Sequence, residues 1–138
     1  MMGKTFKARR IVRGKAIAEA VVCPGGFSFL GDVDTTSGEI IASDNPNKGR
    51  TIDGKILIYK TTKGSSGGCQ VLITLARKGK APAAIISVKP ADYNLTEGAI
   101  LSGVPFLCEP DGDILGEIST GRKVVVDADA GTIELPDQ

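Results

Sequence analysis

The sequence predicts a mixed α/β domain in which a β-rich body surrounds one central strand–helix–strand unit. Residues 56–59 form an apolar run, which is typical of a strand buried on both faces. After a glycine-rich loop, the apolar residues Val71, Leu72, Leu75 and Ala76 recur at helical spacing. A second apolar run at 83–88 supplies a strand parallel to the first, which completes a βαβ unit.

Composition is that of an ordinary globular domain, and we expect residues 1–138 to form a single one. Hydrophobic residues make up 41% and charged residues 24%, with a net charge of +1 and no basic cluster, so nothing indicates a nucleic-acid partner. No apolar run approaches the roughly 20 residues that span a bilayer. The basic N-terminus lacks the apolar region of a signal peptide, so we expect a cytoplasmic protein without a membrane partner.

The N-terminal part of the chain predicts short strands separated by turns. Apolar alternation indicates strands at about 5–12 and 16–23, with a turn or bulge at Arg13-Gly14. The segment Cys23-Pro24-Gly25-Gly26 should end the second strand. Residues 39–42 predict another short strand, before a polar loop at 43–50.

The central helix should run from about 67 to 77, with Gly79 as its stop signal. Beyond the βαβ unit we expect a helical turn at 94–101, a strand at 104–107, and a helical or extended piece at 114–118. The last two strands, 123–128 and 132–135, should form a β-hairpin. The sum is a layered β/β/α domain, with a six- or seven-stranded sheet and two helices.

The junction Gly64-Ser65-Ser66-Gly67-Gly68 is the strongest chemical signal. Glycines allow a ligand to approach the backbone, and a following helix directs free N–H groups and the positive end of its dipole at the loop. An anion, or an alkoxide on Ser65 or Ser66, would be stabilised there. The motif has neither Walker spacing nor the Gly-x-Ser-x-Gly elbow of hydrolases. A serine that only caps the helix explains the pattern equally well.

Lys63 and two aspartates are further candidates. Lys63 adds a cation that could steer an acidic substrate, although a solvated loop lysine is the commoner outcome. Asp32 and Asp34 could bind a cation or a substrate hydroxyl, or they could cap turns.

The reactive residue types limit the possible chemistry. The chain has no histidine, which excludes a Ser-His-Asp triad within it. Its cysteines, Cys23, Cys69 and Cys108, have neither disulfide nor zinc spacing, and we expect no metal site. Cys69, at the helix start, could be a stabilised thiolate or a small buried apolar residue.

Several ordered motifs resemble the small subunit of the aconitase-X class of dehydratases, over almost the whole length. They are Ile11-Val12-Arg13-Gly14-Lys15-Ala16, Ser28-Phe29-Leu30-Gly31-Asp32-Val33-Asp34, Ile52-Asp53-Gly54-Lys55-Ile56-Leu57, Lys63-Gly64-Ser65-Ser66, Gly79-Lys80-Ala81-Pro82-Ala83-Ala84-Ile85, Gly98-Ala99-Ile100-Leu101-Ser102-Gly103-Val104-Pro105, and Thr120-Gly121.

This resemblance implies a swivelling domain like the mobile β/β/α domain of aconitases, which closes over an active site built mainly on a large partner subunit. Members dehydrate small hydroxy acids, 5-phosphomevalonate in archaea or cis-3-hydroxy-L-proline in bacteria, and the segment 98–105 is more similar to the archaeal form. A non-catalytic module that binds carboxylate or phosphate is the alternative. An iron or iron–sulfur centre is expected in the large subunit, in a heteromeric lyase of the mevalonate pathway.

The resemblance also implies roles for individual residues. Ser65 would be the base that removes a proton from substrate carbon. The substrate would be bound by Lys63, Gly64, Ser66, Gly67 and Gly68, and the loop that carries Ser28, Asp32 and Asp34 would lie near the same cleft.

Overall fold

The computed structural model describes residues 3–63 and 67–137, which form eight strands and four helices. The strands are β1 (Lys4–Lys7), β2 (Arg9–Val12), β3 (Lys15–Phe27), β4 (Ile56–Thr62), β5 (Ala84–Ser87), β6 (Phe106–Cys108), β7 (Lys123–Asp127) and β8 (Thr132–Leu135). The helices are α1 (Phe29–Asp32), α2 (Gly68–Arg77), α3 (Tyr93–Ser102) and α4 (Ile114–Glu117).

The predicted central unit is confirmed. All strands form one sheet in the order β1-β8-β7-β3-β4-β5-β6-β2, in which β3, β4, β5 and β6 are parallel neighbours. Helix α2 connects β4 to β5, and its ten residues lie within the predicted bounds. The predicted C-terminal hairpin is the antiparallel pair β7 and β8.

The first predicted strand, 5–12, is wrong as a single element because the chain changes partner at Ala8. Strand β1 pairs with β8 and β2 pairs with β6, at opposite edges of the sheet. Only Ala8 separates the two strands, and neighbouring Cα atoms are about 3.8 Å apart, so the sheet must curl until its edges meet. The Ala8 N–H donates to the Gly131 carbonyl at 2.9 Å there.

Strand β3 is longer than predicted, since the Cys23-Pro24-Gly25-Gly26 segment does not end it. The register with β4 shifts between Cys23 and Gly26, as in a β-bulge. The bulge accommodates Pro24, which has no N–H for the ladder, and the strand continues to Phe27. Residues 15–19 pair antiparallel with β7 and residues from 20 onward pair parallel with β4, so β3 joins the two halves of the sheet.

Two further expectations are corrected. Residues 39–42 do not form a strand, because only isolated bridges occur there, from Glu39 to Thr51 and from Ile40 to Val33. The sheet has eight strands over the described residues rather than six or seven. Beside the two ten-residue helices stand the single-turn helix α4 and the short element α1, in which Leu30 and Gly31 have non-helical backbone angles.

The core is divided between the two faces of the sheet. One cluster packs α2 and α3 and the segment 33–52 against the parallel strands, with Leu72, Leu75 and Tyr59 fully buried. The other packs β1, β7 and β8 against the opposite faces of β3 to β6, with Ile58 and Ile133 fully buried. This arrangement of a curled sheet covered on one side by the two long helices, α2 and α3, is the predicted β/β/α layering.

Candidate functional site

The carboxyl ends of the parallel strands meet where the glycine-rich loop was predicted. Phe27, at the end of β3, pairs with Thr62, at the end of β4, and α2 begins at Gly68. Gly64, Ser65 and Ser66 lie outside the described residues, so the structure describes the site through its flanks, Lys63 and Gly67. In open sheets of parallel strands, ligands bind beyond the carboxyl ends of the strands.

Helix α2 begins without a side-chain cap of its own. Its N-cap residue is Gly67, and the Cys69 N–H donates instead to Oδ1 of Asn94 at 2.8 Å. Asn94 lies in the first turn of α3, so the neighbouring helix supplies the acceptor. Sequence reasoning missed Asn94, because no local pattern indicates a cap that comes from another helix.

Lys63 is held at its backbone, its stem and its ammonium group. Its N–H donates to the Phe27 carbonyl at 3.0 Å, and a Cβ added to Gly26 would lie 3.1 Å from the Lys63 Cβ. Its Nζ lies 3.3 Å from Oδ2 of Asp32 and 3.9 Å from Oδ2 of Asp44. The Asp32 side chain is only 12% exposed, against 43% for Lys63, so the lysine balances a largely buried carboxylate.

The turn 28–32 builds the position of that carboxylate. The Ser28 N–H donates to Asp32 Oδ2 at 2.9 Å, and the Ser28 hydroxyl donates to the Leu30 carbonyl at 2.7 Å. Gly31 has φ +110°, a conformation that L side chains rarely adopt, which lets the turn fold back. Two of the predicted second-loop residues, Ser28 and Asp32, are therefore brought to Lys63.

Asp34, the third of these residues, caps its own turn. Its Oδ1 accepts the N–H groups of Thr36 and Ser37 at 2.8 and 2.9 Å, and these bonds lower the pKa of the Asp34 carboxyl. The structure therefore supports the turn-capping alternative for Asp34.

A small polar pocket of about 100 Å³ lies beside Lys63, lined also by Asp32, Asp44, Asn45 and Cys23. With one lysine and two aspartates, its charged groups sum to −1. Lys63, which precedes the segment 64–66 in the chain, is part of the lining of this pocket.

The wall of this pocket rests on a buried amide network. Asn45 Nδ2 lies 3.3 Å from the Cys23 sulfur, and Asn47 Nδ2 donates to the Val22 carbonyl at 2.6 Å. Thr120 donates to Asn47 Oδ1 at 3.2 Å and accepts the Val22 N–H at 3.0 Å. This network fixes the polar loop 43–50 against β3, and sequence reasoning missed it because its members are far apart in the chain.

The cysteines of this chain do not suit an iron centre. All three are buried and free, and burial raises the pKa of each thiol, which disfavours the thiolate that binds metal. For Cys69 this favours the small buried apolar interpretation. Within residues 3–63 and 67–137, no three His, Cys, Asp or Glu side chains are grouped closely enough to hold a metal ion. Among the same residues, no helix is long and apolar enough to cross a membrane.

Comparison with known proteins gives consistent matches. Residues 5–135 match the family model of the aconitase X swivel domain. The chain is 41% identical over 130 residues to the phosphomevalonate dehydratase small subunit of Thermococcus kodakarensis, covering 94% of this chain and 95% of that one. It is 40% identical over 127 residues to the protein of the same name from Methanothermobacter thermautotrophicus, covering 92% and 96%. The crystal structure of Thermococcus kodakaraensis aconitase X in its holo-form superposes with a TM-score of 0.91 at 38% identity, covering 98% of this chain and all of that chain.

Proposed function

Because the chain belongs to the aconitase X swivel-domain family, we propose that it is the small subunit of a heteromeric dehydratase whose substrate is (R)-5-phosphomevalonate. The observation that carries this proposal is the identity of 37–41% to small subunits of that name over nearly the whole length of both chains. The term "small subunit" in those names supports the existence of a large catalytic partner subunit. The chain would then act as one swivelling domain, in the cytoplasm, on a phosphorylated acid.

The reaction is the loss of water from a hydroxy acid. A base removes the proton from the carbon next to the carboxylate, the hydroxyl leaves from the following carbon, and the products are an anhydromevalonate phosphate and water. We assign the base to Ser65 and substrate binding to Lys63, Gly64, Ser66, Gly67 and Gly68. General-base catalysis of this kind contributes roughly 10²–10⁴ in rate.

The described flanks support this assignment on physical grounds. A serine hydroxyl is a weak base at neutral pH unless its alkoxide is stabilised. The N-terminus of α2 favours negative charge beside Gly67. Lys63 precedes the segment in the chain, and its ammonium group is 3.3 Å from the Asp32 carboxylate, which balances part of its charge. Since the described donor set does not suit iron, an iron or iron–sulfur centre would belong to the large subunit, and the chemistry proposed for this chain is confined to its own residues.

The test is to co-express the chain with its large subunit and to assay dehydration of (R)-5-phosphomevalonate and of cis-3-hydroxy-L-proline. We expect turnover of the phosphorylated acid, and a loss of at least about 10²-fold in Ser65→Ala while the complex stays intact by size-exclusion chromatography. Ser119→Ala, at an exposed serine between α4 and β7, is the matched control and should keep full turnover.

Each of the other outcomes of this experiment overturns a different part of the proposed function. A fully active Ser65→Ala complex removes the base assignment. Turnover of the hydroxyproline alone replaces the substrate. A stable complex that dehydrates neither acid overturns the proposed substrate but not the family, and failure to form any complex overturns the subunit role. In that case, stabilisation of the isolated chain by carboxylates or phosphates would identify a binding module.

A further inference from the structure

The turn 28–32 contacts both residues that flank the segment 64–66. At one end, the Asp32 carboxylate pairs with the Lys63 ammonium at 3.3 Å. At the other end, Leu30 lies against Gly67, since a Cβ added to Gly67 would stand 2.4 Å from Leu30 Cδ2 and 2.9 Å from Leu30 Cβ. A single short turn therefore contacts the chain immediately before and immediately after the serine segment.

Leu30 makes this contact without being part of the core. The residue is 51% exposed, so burial in the core does not explain its position. Gly67 allows the approach, because any larger residue there would overlap with the leucine where it now lies. The contact forms directly at the N-cap of α2, where the helix has no side-chain cap of its own.

The Asp32 contact is maintained by the turn itself. Oδ2 of Asp32 accepts the Ser28 N–H as well as facing Lys63, which fixes the rotamer of the carboxylate. The Asp32 carbonyl accepts the Ile41 N–H at 2.9 Å, which ties the turn to the following loop. The positive φ of Gly31, which glycine adopts without strain, lets the turn reverse between Leu30 and Asp32.

We propose that Leu30 and Asp32 are positioning residues for the two residues on either side of the serine segment, Leu30 for Gly67 and Asp32 for Lys63. Their effect on turnover rests on the proposed function, because it requires that the segment carry the base. Their effect on the chain next to the segment does not. A positioning role predicts a change in kcat rather than in KM, since misplacement of a reacting group by about 1 Å can cost about 10²-fold.

The first experiment measures turnover of the complex with Asp32→Asn, Leu30→Ala and the double variant. We expect kcat to fall about tenfold or more in each single variant, with KM changing less than about threefold. Asn keeps an oxygen for the Ser28 N–H, and Leu30 is half exposed, so both variants should fold. Asp53→Asn is the matched control, because Asp53 pairs with Lys80 at 3.7 Å at the opposite end of β4, and kcat should not change.

A double-mutant cycle identifies the path of the effect. If Asp32 acts through Lys63, Asp32→Asn should lower kcat no further in a Lys63→Met background. An equal loss in both backgrounds would overturn this path. A kcat within twofold of the unmodified complex in both Asp32→Asn and Leu30→Ala would overturn the proposal as it concerns turnover.

The second experiment uses the full chain without its partner and needs no activity. The amides to follow by hydrogen exchange are Lys63, bonded to the Phe27 carbonyl, and Val71, bonded to the Gly67 carbonyl at 3.2 Å. We expect exchange about tenfold faster at Lys63 in Asp32→Asn and at Val71 in Leu30→Ala, and no change in Asp53→Asn. Unchanged exchange in both variants would overturn the positioning role, even if the unmodified complex proved inactive on phosphomevalonate and the proposed function had failed.

Discussion

Helices α2 and α3 have equal length and opposite ways of starting. Helix α3 has its own cap, since Asp92 is extended and its Oδ2 accepts the Leu95 N–H at 3.0 Å. Helix α2 starts at Gly67 without a side-chain cap, and Asn94, from the first turn of α3, accepts its Cys69 N–H. The start of α3 is encoded locally, whereas the start of α2 exists because other parts of the fold surround it.

The difference shows how a helix start without a capping side chain of its own can obtain its stability. A capping side chain at Gly67 would stand beside the segment 64–66 and would meet Leu30. Obtaining the acceptor from Asn94 stabilises the first turn while the cap position carries no side chain. Close packing completes the arrangement, because a Cβ added to Gly98 of α3 would lie 2.9 Å from the Cys69 Cα.

A substitution that forces α2 and α3 apart should have the largest effect on stability. Gly98→Ala places a methyl group against the Cys69 backbone, and overpacking of this kind costs about 1–3 kcal/mol, more than the gain in helix propensity. We expect a lower midpoint of urea unfolding, with Glu97→Ala, at the exposed neighbouring position, as a near-neutral control. A stabilised Gly98→Ala would mean that the contact between the helices yields easily.

A negative charge at Asn94, the residue that caps α2, should have the second-largest effect, on ligand binding. Asn94→Asp keeps an oxygen acceptor for the Cys69 N–H and places a negative charge near the start of α2. Folding stability should be equal or higher by about 0.3–1 kcal/mol, because the helix dipole favours an anion there. If an anionic substrate binds at the same helix start, KM should rise by about tenfold. Equal KM values for the variant and the unmodified complex would place the anion elsewhere.

Removing each cap separately should cost similar amounts of stability and different amounts of activity. Asp92→Ala and Asn94→Ala should each lower the free energy of unfolding by about 1 kcal/mol. We expect kcat of the complex to fall only in Asn94→Ala, since only that cap supports α2. A loss of kcat that follows stability alike in both variants would contradict a special role for the start of α2.

Filling the cap position itself should have the smallest effect on stability. Gly67 has φ −86°, which alanine adopts without strain, but the added Cβ would stand 2.9 Å from Leu30 Cβ, so the exposed turn must shift slightly as well. We expect Gly67→Ala to lower the free energy of unfolding by less than about 1 kcal/mol. Hydrogen exchange of the Val71 amide in Gly67→Ala should nevertheless match that in Leu30→Ala, because one substitution displaces Leu30 from its position at residue 67 and the other truncates it. A protected Val71 amide in Gly67→Ala would argue against that equivalence.

The same division between local and distant causes explains which predictions from sequence were correct. The βαβ unit, the bounds of α2 and the C-terminal hairpin follow from hydrophobic periodicity and turn residues, which act over a few positions. The break at Ala8 could not be predicted, because it arises where the curled sheet closes. The continuation of β3 past Pro24 depends on a bulge against β4, and the failed strand at 39–42 lacks a partner strand along its length among the described residues.

The sequence by itself determined the family, the layered architecture and the placement of a glycine-rich loop between a strand and a helix. It also named Lys63, Ser28 and Asp32, residues that the structure brings together beside that loop. Only the tertiary structure decided that Asn94 supports α2 and that Leu30 lies on Gly67. The physical reason is that patterns in sequence record which face of an element is buried, whereas the partner of a buried N–H or carboxylate is chosen by packing between distant elements.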